Sequence, residues 1–289
     1  MSLEPRFGTV NCISPAGFHA MHYAEWGAAD NPRVLICVHG LTRVGRDFDR
    51  LAVALAEHYR VVCTDVVGRG RSDWLREPSL YQLPQYAADM VTLIARLDVP
   101  KVDWLGTSMG GLIGISVAGQ VGAPIGKLII NDVGPTLDAA AIARIGDYLG
   151  QPIEFARFDL AVDYIAAISA PFGLTSRADW EEATRHVVRE RDGRWHLHYD
   201  PRLAEPFRQI TPETAAKGEA ALWWLYDHIT APVLLLRGEH SDLLSPATAE
   251  RMVGTGPRAR RIDIPGIGHA PMFFDASQIA VVREFLLEP

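Results

Sequence analysis

The chain has 289 residues, 48% of them apolar and 22% charged, with a formal net charge of −7. That length buries a sizeable core without disulfide or metal staples. Without a block of like charges the sequence offers no electrostatic footprint for nucleic acid, and without a run of 18 apolar residues it offers no membrane span. Residues 1–10 lack a basic stretch leading into an apolar one, so a cytoplasmic protein is expected. Cys12, Cys37 and Cys63 are odd in number and sit in apolar, strand-like runs. They are expected as buried reduced thiols, with no metal-ligand spacing and no cofactor motif. Oligomeric state is not legible.

Residues 7–27 form two strand-like runs about Ser14-Pro15-Ala16-Gly17, the pattern of a β-hairpin, with His19 and His22 expected on its surface. The run 34–38 (VLICV) is continuously apolar, which suits a central parallel strand covered on both faces. It ends in His39-Gly40-Leu41-Thr42, where Gly40 lets the chain turn and His39 braces the loop by hydrogen bonding. Asp47 is then placed to cap a helix whose Phe48, Leu51, Ala52 and Leu55 share one face. A strand over 61–67 closes in a Gly-rich loop, Asp65 to Asp73, that matches neither phosphate-binding fingerprint and is expected to be pinned by Asp65 and Ser72. A helix over 82–97 follows, with Pro84 near its start and Tyr86, Met90, Leu93, Ile94 and Leu97 on its buried face.

Residues 102–105 are a short apolar strand that runs into Gly106-Thr107-Ser108-Met109-Gly110 and then a helix of small residues. A G-x-S-x-G turn between strand and helix exposes the serine hydroxyl on a strained backbone, with the helix N-terminus facing any oxyanion that forms. Gly106 and Gly110 are the flanking positions where a Cβ would collide with the turned chain. A further apolar strand, 127–132, ends the regular alternation. Residues 136–229 carry helical patterns and one hairpin-like stretch about Asp192-Gly193, and residues 232–236 resume the sheet. The expected organisation is a core of residues 1–135 and 230–289 with an inserted, mainly helical lid over 136–229. The class is α/β, a mostly parallel central sheet flanked by helices. Phe155, Phe158, Phe172, Trp180, Trp195, Trp223, Trp224 and Tyr226 lie in the insertion, most of them expected in its own small core and the rest along an apolar cleft.

Two late loops carry further chemistry, Arg237 to Asp242 after one strand and Ile262 to His269 after the next. The order Ser108, Asp242, His269 is nucleophile, acid, base. Together with the His39-Gly40 loop, the Asp65 to Ser72 loop and the Gly106 to Gly111 elbow, these segments resemble the lidded α/β-hydrolases over nearly the whole chain outside the insertion. The nearest likeness is to the carboxylesterase, enol-lactonase and C–C-bond hydrolase branches. The resemblance implies that His269 takes the serine proton, that Asp242 orients the imidazole, and that the Leu41 and Met109 N–H groups hold the oxyanion. Glu239 and Asp132 are the rival acids. Gly40, Arg43 and Trp223 are expected along the substrate pocket; Arg43 faces either a substrate carboxylate or solvent.

A serine at the elbow, where haloalkane dehalogenases and epoxide hydrolases of this superfamily carry aspartate, points to acyl transfer to water. The expected function is therefore a serine hydrolase of a small, largely apolar carboxylic ester or lactone. The alternatives are a C–C hydrolase of aromatic-ring-cleavage products and a non-catalytic ligand receptor. The first is weakened by Leu41-Thr42 and Thr107, where those enzymes have a longer Gly-rich loop and an asparagine. The second is weakened by the intact triad.

Overall fold

A computed structural model describes residues 4–288. Its centre is an eight-stranded sheet in the order β1-β2-β4-β3-β5-β6-β10-β11. The first hairpin, β1 (Arg6–Ser14) with β2 (Gly17–Trp26), is antiparallel and lies at one edge. From β4 (Arg60–Thr64) across β3 (Val34–Val38), β5 (Val102–Thr107), β6 (Ile125–Asn131), β10 (Val233–Gly238) and β11 (Arg260–Ile264) every pairing is parallel. β3 is buried at all five positions, as a strand covered on both faces must be. β4 is shorter than the apolar run suggested: Val66 and Val67 leave the sheet and stay buried beneath the Gly-rich loop.

Helices α1 (Asp49–Leu55) and α10 (Ala276–Leu287) cover one face, packing Leu51, Leu55, Val282 and Leu286 on Leu35, Leu105 and Leu234. On the other face lie α2 (Leu83–Leu97), α3 (Met109–Ala118) and α9 (Pro246–Gly254). α2 begins with proline in its first turn and stops at Asp98 in the left-handed conformation, close to the expected boundaries.

Asp47 departs from expectation. It lies in the 3-10 turn Gly45–Phe48, α1 starts two residues later without a side-chain cap, and the carboxylate binds Arg43 instead. His19 is not a surface residue either: its Nε2 meets Asp89 Oδ2 at 2.9 Å in the core and ties the hairpin to α2. His22 is half-buried beside Thr9. Cys12, Cys37 and Cys63 are free and buried.

Between β6 and β10 the chain builds a second layer over the strand ends. It comprises α4 (Ala139–Tyr148), α5 (Phe158–Ile168), α6 (Arg177–Arg185), α7 (Ala204–Arg208) and a small antiparallel sheet, β7 (Glu154–Phe155), β9 (Arg194–Leu197) and β8 (Val188–Arg191). Asp192 and Gly193, both at positive φ, form the two-residue turn between β8 and β9. Phe155, Trp180, Val162, Ile165 and Val188, with Phe158 and Trp195 against them, make a separate core for this layer. The long helix α8 (Pro212–Asp227) then returns to the sheet, where Leu222, Trp223 and Tyr226 join the main core against α3.

Candidate active site

Ser108 is held at φ +52°, ψ −116°, between β5 and the first turn of α3. A side chain rarely adopts that left-handed backbone, and close packing enforces it here. A Cβ on Gly106 would come within 2.1 Å of the Gly110 carbonyl oxygen, and one on Gly110 within 2.0 Å of the Val38 carbonyl oxygen. Only glycine lets strand, turn and helix approach this closely.

The Ser108 hydroxyl lies 3.0 Å from His269 Nε2, and His269 Nδ1 lies 2.8 Å from Asp132 Oδ2. With Nδ1–H donating to the carboxylate, Nε2 is left as the acceptor for the serine proton. The second oxygen, Asp132 Oδ1, accepts the Gly238 N–H at 2.9 Å, and the Asp132 N–H donates to the Leu236 carbonyl. Asp132 is wholly buried at the C-terminal end of β6, so its orientation is fixed from both sides. Asn131 steadies the elbow: its carbonyl receives the Ser108 N–H, and its amide donates to Thr107 Oγ1 and to the Pro271 carbonyl, just past His269.

This arrangement corrects the acid drawn from chain order. Asp242 is 40% exposed and ion-paired with Arg144 of α4, and it takes no part in the Ser108–His269 hydrogen bonds. The end of β10 contributes the Gly238 amide to the site, and the loop that follows contributes no carboxylate. Glu239 also turns away, accepting the Gly266 N–H at 2.8 Å.

The loop after β3 stands opposite the serine, with a Cβ on Gly40 only 3.6 Å from that of Ser108. Leu41 and Met109 thus flank Ser108, Met109 as the first residue of α3, where N–H groups have no intrahelical acceptor. His39 braces this loop as expected. Its Nδ1–H donates to the Gly40 carbonyl at 2.6 Å, and its Nε2 accepts the Val66 N–H at 3.0 Å. Burial, reinforced by Arg69 and Arg43, lowers its pKa to about 3, so the imidazole is a neutral strut. Asp65 accepts the Gly45 and Arg71 N–H groups, and Ser72 Oγ donates to the Asp65 carbonyl.

Arg69 was read only as part of a Gly-rich loop. It is fully buried, donates Nε to the Leu41 carbonyl at 2.8 Å and Nη1 to the Val67 carbonyl and Tyr86 hydroxyl, and lies 3.3 Å from Met109 Sδ. One guanidinium therefore anchors both residues beside the serine. An arginine in a polar loop carries no sequence signal that separates this role from a solvated one.

A cavity of about 90 Å³ opens over Ser108 and His269. Its roof is aliphatic and aromatic, from Ile145, Tyr148, Ile165, Ile168 and Phe172 of the inserted layer. Burial pushes the Tyr148 hydroxyl up to about 12, so it stays a neutral donor. Gly40 and Arg43 line the cavity as expected, but Arg43 is buried and spoken for: it binds Asp47 through two hydrogen bonds and the Ala183 carbonyl through a third. Trp223 does not reach the cavity. It packs edge-on against Tyr226 under the Arg251 guanidinium, with its indole N–H on Thr136 Oγ1, because α8 has returned to the sheet. Trp224 is exposed.

Among the described residues, Cys12, His19 and Asp89 place ligand-type atoms within 4.8 Å of one another. His19 Nε2 is bonded to the Asp89 carboxylate, its Nδ1 is buried without a hydrogen-bond partner, and burial pushes the thiol up to about 12, so the cluster clasps hairpin to helix. No helix among the described residues is long and apolar enough to cross a membrane.

The profile of the α/β-hydrolase fold family matches residues 33–276. The chain is 53% identical over 289 residues to a 3-hydroxybutyrate-oligomer hydrolase of Cupriavidus necator, covering 99% of each protein. An esterase of Mycobacterium tuberculosis is 27% identical over 235 residues, 78% of this chain and 72% of that one. Among solved structures, an α/β hydrolase of Novosphingobium aromaticivorans superposes with a TM-score of 0.85 at 33% identity over 99% of both chains. A putative hydrolase of Rickettsia typhi gives 0.88 at 28% identity, covering 97% of this chain and 98% of that one. The chain belongs to the α/β-hydrolase fold family and is a hydrolase.

Proposed function

We propose that the protein is a serine hydrolase that cleaves short linear esters of 3-hydroxybutyrate through an acyl-enzyme, with Ser108, His269 and Asp132 as its triad. The observation that carries the chemistry is the unbroken hydrogen-bonded line from Ser108 Oγ through His269 to a buried carboxylate. The full-length likeness to the oligomer hydrolase supports the substrate class, as does a small cavity over the serine with an aliphatic and aromatic roof.

The steps follow from the groups. His269 Nε2 takes the Ser108 proton as Oγ bonds to the ester carbonyl carbon. Negative charge collects on the former carbonyl oxygen, where the Leu41 and Met109 N–H groups stabilise it, each worth about 3 kcal/mol of barrier. Asp132 keeps Nδ1 protonated and offsets the imidazolium charge. The imidazolium returns its proton to the departing alkoxide, releasing one hydroxy acid. A water then repeats the attack on the acyl-enzyme, giving its proton to His269 and freeing the second acid and the serine. Three free, buried cysteines fit a reducing, cytoplasmic setting for this activity.

The test is intact-mass analysis after fluorophosphonate treatment, together with hydrolysis of the 3-hydroxybutyrate dimer. One adduct that disappears in Ser108→Ala, and release of monomer by the wild type only, is the expected result. A folded wild type that takes no label and cleaves no ester overturns the proposal.

A further inference from the structure

Resting on that reading, the 3-hydroxybutyrate dimer carries a free carboxylate on its leaving-group half, three bonds from the ester oxygen. The cavity must either solvate this charge or pair it. We propose that Arg144 is the carboxylate-binding residue of the leaving-group side of the site, and that Asp242 holds Arg144 between turnovers and yields it to substrate.

Arg144 lies on α4 one residue before Ile145 and four before Tyr148, and all three line the cavity that holds Ser108 and His269. Two arginines reach this cavity, and they differ in what they have left to give. Arg43 is buried, neutralised by Asp47 and hydrogen-bonded to the Ala183 carbonyl. Arg144 is 48% exposed, and its one ion-pair partner, Asp242, is 40% exposed and outside the cavity lining. A solvated ion pair is weakly held, because water competes for both members. A guanidinium donates two parallel N–H bonds to the oxygens of one carboxylate, so exchanging Asp242 for a substrate carboxylate keeps its charge paired.

The exchange also accounts for Asp242 itself. It stands on the loop after β10 but sends its carboxylate to α4 of the overlying layer, so the pair spans the seam beside the cavity. A substrate acid that captures Arg144 releases that tie on the side where the leaving group departs. Binding energy drawn from this remote group serves the acylation step, since the leaving group is gone before deacylation.

The experiment compares the 3-hydroxybutyrate dimer with its neutral primary amide, which has the same scissile ester and no charge. The readout is the ratio of their kcat/KM values in wild type, Arg144→Gln, Arg144→Lys and Asp242→Asn. Wild type is expected to favour the acid at least tenfold, mainly through KM. Arg144→Gln loses that preference, Arg144→Lys keeps part of it, and Asp242→Asn raises the ratio by freeing Arg144. A wild type without preference, or a preference that survives Arg144→Gln, overturns the inference and leaves the serine hydrolase standing. If Ser108 takes the fluorophosphonate label but neither dimer is cleaved, the substrate class and this inference fall together. If Ser108 takes no label, the serine chemistry itself falls.

Discussion

Asp132 and Asp242 end neighbouring parallel strands on the same side of the sheet, and each is a candidate acid by position. Depth separates them. Asp132 directly follows β6, is wholly buried, and has its carboxylate fixed between the Gly238 amide and the His269 ring. Asp242 stands four residues past the end of β10, on a loop that has climbed to the surface and reaches across to Arg144. A carboxylate that must hold an imidazolium needs a dry, fixed position; one that must let go of its partner needs water around it. Asp132 has the first environment and Asp242 the second.

The largest effect that tests this contrast is in turnover. Asp132→Asn is expected to lower kcat on a neutral ester about 10⁴-fold, with the fold retained by circular dichroism. Asp242→Asn should stay within about threefold on the same ester, since an exposed pair contributes little. Equal losses in the two variants would mean that the carboxylates share the role.

Trp223→Ala comes next and reads stability. The indole is buried in the main core, so the change should cost about 3–5 kcal/mol in urea unfolding while the preference among ester chain lengths is unaltered. A shifted chain-length optimum would return Trp223 to the pocket.

Gly238 joins the two loops. A Cβ there would lie 2.1 Å from the Gly268 carbonyl oxygen, next to His269, while the Gly238 amide holds Asp132. Gly238→Ala should therefore lower kcat by about 10²-fold and stability by about 1–3 kcal/mol. Stability loss with full activity would show the loop to be a packing element only.

The smallest effect is in pH. Folding holds His39 neutral down to about pH 3, whereas the unfolded chain takes up the proton near its ordinary value of 6.5. The unfolded state thus binds more protons between those values, and stability falls as pH is lowered through that window. Between pH 7 and 5 the loss is about 2 kcal/mol, and His186, pushed down to about 4 mainly by burial, adds in the same sense. Asp47 and Asp65, raised by burial, oppose it, because the folded state keeps their protons to higher pH than the unfolded chain does. Thermal unfolding of His39→Gln should show a flatter acid limb than wild type. An identical limb would assign the acid sensitivity elsewhere.

The sequence by itself determined the elbow, the parallel core and the insertion between β6 and β10. Each is a local demand: glycines where a Cβ collides, a continuous apolar run where both faces are covered, a break in strand–helix alternation where the sheet is interrupted. His39 was legible for the same reason, since a histidine inside a tight loop next to a buried strand has only backbone to bond. The tertiary structure alone decided what depends on where separate loops end up in space. It chose Asp132 over Asp242, because burial and direction of a carboxylate are properties of packed strand ends and chain order does not encode them. It took Trp223 out of the pocket, because α8 leaves the inserted layer and packs on α3. It turned His19 and Arg69 into buried struts, because their partners Asp89, Leu41 and Met109 are 70, 28 and 40 residues away in the chain. Local periodicity reports a residue's own element; partners at that separation are brought together only by the sheet.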